Sequence, residues 1–95
     1  GRITTGSIAW ATNWITNRDN PALPRLTGTV YAYTSITVDL LGPGGSVIPC
    51  TVTHDGANTQ MHGVLATPNS TPADGTYTWR VVGITTAPVI AAFVW

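Results

Sequence analysis

From Ser35 to Leu40 and again from Val47 to Thr53 the chain alternates, with Ile36, Val38 and Leu40, then Ile48, Cys50 and Val52 on one face, and Thr37 and Asp39, then Thr51 and Thr53 on the other. Successive side chains point to opposite faces only in an extended strand, so each stretch is a strand with one buried and one wetted face. Gly42-Pro43-Gly44-Gly45 between them carries the residue types of a turn. The rest of the chain is equally unsuited to helices: Thr, Val, Gly and Pro dominate, and there is no Lys, no Glu and no extended Ala/Leu run.

The same logic places further strands at Leu26–Thr34, Gly75–Gly83 and Ala87–Trp95. In the first, Gly28, Val30 and Ala32 share one face, and Thr29, Tyr31 and Tyr33 the other. Asp55-Gly56-Ala57-Asn58 reads as a four-residue turn leading into a strand over Thr59–Ala66. That loop length pairs Val52 with Met61, Cys50 with Gly63 and Ile48 with Leu65, apolar or small groups on one face throughout. It also puts Cys50 and His54 on one face and His62 on the other. Between Arg2 and Ile15, residues Ile8, Trp10, Thr12 and Trp14 fit one face of one strand or two short ones, although Trp10 and Trp14 also fit a helical face. Asn17–Pro24, with two prolines and several turn formers, reads as a loop. About seven short strands in 95 residues make one all-β domain over 1–95, an antiparallel two-sheet sandwich.

Composition narrows the function. Four Arg and four Asp leave a net charge of zero, and charged residues are 8% of the chain against a usual share of about 25%. Phosphate recognition needs clustered cations, so a nucleic-acid partner is excluded. No apolar run approaches the roughly 20 residues that cross a membrane, so no membrane insertion is expected. A surface so poor in charge suits either a Thr-rich extracellular β domain or a subunit whose faces are covered by neighbours.

Catalytic and metal chemistry find little material. Cys50, His54 and His62 are the only soft or imidazole ligands, and the hairpin register separates them, so no metal and no cofactor are expected. Two His and four Asp in turns or outward positions bring together neither a nucleophile with its base nor a pair of facing carboxylates, so no catalytic residue is expected.

The run Pro72-Ala73-Asp74-Gly75-Thr76-Tyr77-Thr78-Trp79-Arg80-Val81 resembles the penultimate strand of immunoglobulin-like and fibronectin-type-III-like domains of bacterial surface and phage structural proteins. Ile36–Ile48 resembles their preceding strand, turn and strand, and together the two segments cover roughly half the chain. The resemblance implies an immunoglobulin-like sandwich in which Tyr77 packs at a sheet corner, and no shared active site. Trp79 stands where true immunoglobulin domains have their second core Cys, and Cys50 has no partner, so their disulfide is absent.

Two sets of side chains remain as an interaction surface. Tyr31 and Tyr33 point away from the face carrying Val30 and Ala32. At the C-terminus Val89, Ala91, Phe93 and Trp95 fill one face while Ile90, Ala92 and Val94 make the other apolar as well, a surplus that a free sandwich does not need. The favoured function is a non-enzymatic structural subunit, capsid-decorating or tail-associated on a phage virion, whose partners are copies of itself or a larger protein assembly. The alternative is a carbohydrate-binding or adhesion module of a secreted or cell-surface protein, resting on Tyr31, Tyr33, Trp10 and Trp14; a spacer domain with no ligand is third.

Overall fold

The computed structural model describes residues 10–11, 14–18, 23–31, 35–55, 61–84, 90 and 92–95, with residues 10, 11, 31 and 62 described through their backbone alone. The strands are β1 (Trp10–Ala11), β2 (Trp14–Arg18), β3 (Pro24–Tyr31), β4 (Thr37–Leu41), β5 (Val47–His54), β6 (Met61–Pro68), β7 (Thr76–Val82) and β8 (Phe93–Val94). All pairings are antiparallel, and one sheet runs in the order β1-β2-β3-β6-β5-β4-β7-β8. It is nearly closed and barrel-like. Among the described residues the only helical turn is a 3-10 turn at Pro43–Gly45, and no helix is long and apolar enough to cross a membrane.

The expected division into two separate sheets is not what the ladders draw. β5 pairs with β4 through Val47, Ile48 and Pro49, and with β6 from Cys50 to His54. Pro49 sits at the handover, where its missing N–H makes a break in the ladder least costly. One strand thus bends the sheet into two walls: β1, β2, β3, β6 and the second half of β5 on one side, and the first half of β5, β4, β7 and β8 on the other.

The alternation read from β3, β4, β5 and β7 holds. Leu26, Gly28 and Val30, Val38 and Leu40, and Tyr77, Trp79 and Val81 are buried, while Ile48, Cys50 and Val52 are partly buried against them. β2 is a strand and not a helical turn, with Trp14 and Thr16 inward and Ile15 outward. Trp14 lies so close over Gly28 that a Cβ there would come within 2.5 Å of the indole. Phe93, fully buried, stacks between Tyr77 and Trp79, at 6.1 and 5.7 Å between ring centroids. The Tyr77 hydroxyl donates a 2.7 Å hydrogen bond to the Ala73 carbonyl, pinning the chain where it turns into β7.

Three expectations need correction. Asn17, Arg18 and Pro24 belong to ladders, not to a loop, for Asn17 pairs with Arg25 and Arg18 with Pro24. Pro24 is tolerated as the first residue of its strand. The β5–β6 register is also different: Cys50 pairs with Pro68, Val52 with Ala66 and His54 with Val64. Val64, Ala66 and Pro68 face inward, and Met61, assigned to the core face, is 63% exposed. Finally, the ladder of the last strand covers only Phe93 and Val94 among the described residues, although Trp95 continues the pairing through two backbone hydrogen bonds with Gly75.

Candidate functional site

The outward face of the second wall carries the most distinctive surface among the described residues. Its strands alternate, so the residues that do not enter the core form a grid on the outside. Asp39 lies directly across from Arg80, and both the Arg80 Nη2 (2.6 Å) and Nε (3.2 Å) donate to Asp39 Oδ2. Around this pair, Leu41 is flanked by Val47 on β5 and Thr78 on β7, Pro49 adjoins Asp39, Val82 pairs with Thr37, and Val94 pairs with Thr76. Val47, Val82 and Val94 are 50%, 55% and 44% exposed, and Pro49 and Ala92 are also exposed. Leaving such side chains in water forgoes much of the roughly 1.5–3 kcal/mol that burying a Val contributes. The ion pair thus shares this face with exposed aliphatic groups and with the threonines Thr37, Thr76 and Thr78.

The C-terminal residues named for an interface divide. Ala92 and Val94 point out on this wall, whereas Ile90 is partly buried against the core and its carbonyl accepts a 3.4 Å hydrogen bond from the Thr78 hydroxyl. Tyr31 is placed by its backbone, paired with Met61 at the end of β3. Its side chain, and the whole of Tyr33, lie outside the described residues, as do the side chain of Trp10 and residues Val89 and Ala91. Trp14, named with them as a sugar platform, is instead a core residue only 4% exposed. Val47 and Val82 were missed. Their signal lay in the alternation, since each shares parity with the polar or outward residues of its strand.

Among the described residues, Cys50 is held by burial and Asp55 by backbone contacts. Burial pushes the Cys50 thiol up to about 12, and the neighbouring Asp39 carboxylate adds to this against a weaker opposing backbone hydrogen bond at Leu40. The thiol therefore stays protonated and a poor nucleophile near neutral pH. Asp55 ends the β5–β6 ladder: its Oδ1 accepts the Gly63 N–H at 2.6 Å, and its own N–H donates to the Gly63 carbonyl. That contact lies at an open groove of about 420 Å³ bordered by Thr27, Thr53, His54 and Leu65. The register that separated His62 from Cys50 and His54 does not hold, and the His62 side chain lies outside the described residues. Among the described residues no three His, Cys, Asp or Glu side chains gather to hold a metal ion.

No family model, curated protein or solved structure matches the chain.

Proposed function

We propose that the chain is a non-enzymatic structural domain that works through protein–protein contacts within a large assembly, a phage virion being the setting that its sequence resemblance favours. The observation that carries this reading is the second wall, where Val47, Val82 and Val94 stand 44–55% exposed around one ion pair. Zero net charge removes the repulsion that keeps many monomers apart. For the fold, the finer reading is an immunoglobulin-like sandwich whose two sheets share β5. It is supported by the Tyr77–Ala73 hydrogen bond, the kind of bond that corner tyrosines make in such domains, and by Trp79 two residues later in the core. The carbohydrate reading loses one of its four rings with the burial of Trp14 and now rests on Tyr31, Tyr33 and Trp10.

The test is a triple variant, Val47→Thr, Val82→Thr and Val94→Thr, expressed during particle assembly in the source. The folded domain should keep its melting temperature, because these side chains stand in water. Its copy number in purified particles, measured by quantitative mass spectrometry, should fall well below that of the unaltered chain. Equal copy numbers for the two chains, or absence of the unaltered chain from particles, would sink the reading.

A further inference from the structure

We infer that the outward face of the second wall is a self-complementary docking surface for a second copy of this chain, with Asp39 and Arg80 as its polar centre. The inference rests on the assembly reading and specifies the partner and the geometry.

The guanidinium of Arg80 has unused bonding capacity. Arg80 sends both recorded hydrogen bonds to one oxygen, Asp39 Oδ2. Its Nη1 makes no hydrogen bond among the described residues, so the guanidinium can take one more acceptor without giving up the bond it has. Half of the Arg80 side chain is exposed, against 17% of the Asp39 side chain, so Arg80 is the member of the pair that reaches outward. A guanidinium bridging two carboxylates is a geometry its fork of donors allows.

Charge then selects the symmetry. Two copies meeting face to face around a two-fold axis that lies in the interface, parallel to the strands and between β4 and β7, bring β7 of each over β4 of the other. Arg80 of each copy then faces Asp39 of the other, and four alternating charges close a ring. An axis perpendicular to the strands would set like charges against each other instead, so the ion pair itself distinguishes the two arrangements. The favoured axis also lays β5 of one copy over β8 of the other. Val47, exposed on one edge of the wall, thereby approaches Ala92 and Val94, exposed on the opposite edge. Polar centre and apolar flanks match in the same superposition. Two sheet faces with near-parallel strands are also an ordinary packing mode for twisted sheets.

Sedimentation velocity of the full chain, from micromolar to millimolar concentration, tests this with three variants. Arg80→Asp should weaken self-association by roughly a hundredfold, since it sets carboxylates against each other at the centre. Asp39→Arg should do the same. The double exchange Asp39→Arg/Arg80→Asp keeps the pair within each copy and should restore self-association, while mixed pairs with the unaltered chain place Arg against Arg and should not form. Circular dichroism melts confirm that each variant is folded, and raised salt should weaken association of the unaltered chain. Association that Arg80→Asp leaves unchanged, or free mixing of the exchanged and unaltered chains, overturns the proposed surface while the assembly reading stands. A chain that is monomeric at every concentration yet recovered in particles also overturns the second copy as partner. A monomer absent from particles overturns both.

Discussion

The indole N–H of Trp79 donates a 2.9 Å hydrogen bond to the hydroxyl of Thr16, both of them buried and 63 residues apart in the chain. Trp79 is on β7 and Thr16 on β2, strands that no ladder joins, so this bond ties the two walls together opposite the bend at β5. Nearby, the Arg18 guanidinium lies 5.8 Å from the centre of the Trp95 ring, a cation–π contact across the same seam. Among the described residues, the two walls are joined on this side by side chains.

Replacing Thr16 with Val keeps the shape but strands a buried indole N–H, and should destabilise the domain by about 1–3 kcal/mol. Trp79→Phe removes the donor and leaves the hydroxyl unsatisfied instead. In the double variant neither group is stranded, so its loss should be smaller than the sum of the two by about 0.5–3 kcal/mol in denaturant melts. Strict additivity would show that the bond contributes nothing to stability.

At Gly28 the Trp14 ring packs directly against a strand backbone. Gly28→Ala would push a methyl group into the Trp14 ring, and the displacement should cost about 1–3 kcal/mol, with a changed near-ultraviolet dichroism band from the indole. A variant that melts with the unaltered chain would mean that Trp14 has room to move aside.

Cys50 should react slowly with thiol reagents at pH 8 and rapidly once the chain is unfolded, because burial has raised its pKa from 9.0 to about 12. Below about pH 9 the thiol is protonated in both states, and the contribution to stability is complete. As the pH rises toward 12 the unfolded chain ionises first, so stability falls across that window. Cys50→Ala should flatten this part of the stability profile. An identical alkaline slope in the two proteins would contradict the assigned burial of the thiol.

Ile90 and Val94, two residues of one apolar series in the sequence, should respond differently to the same change. Val94→Thr touches a side chain 44% exposed and should shift stability by less than about 0.5 kcal/mol. Ile90→Thr puts a hydroxyl against the core and should cost about 1 kcal/mol or more. Equal losses in thermal melts would return both residues to a single face.

That the chain is all-β, and which side chains of β3, β4, β5 and β7 face the core, could be read from residue order, because the face of a strand residue depends on parity alone. Leu26 with Val30, Val38 with Leu40, and Tyr77 with Trp79 needed no knowledge of neighbouring strands. Register was another matter. In β6 both parities are apolar, Met61 and Leu65 on one and Val64 and Ala66 on the other, so two pairings with β5 satisfied the pattern equally well and loop length could not separate them. The surface wall was half legible: surplus apolar groups at Ala92 and Val94 stood out locally. Their grouping with Val47 and Val82 around Asp39 and Arg80 arises only when β4 brings β5 and β7 to its two sides. Closure lay furthest from view, since the contact of Thr16 with Trp79 follows no periodicity. It depends on the bend that β5 puts into the sheet at Pro49, and a distance of 63 residues carries no local trace of it.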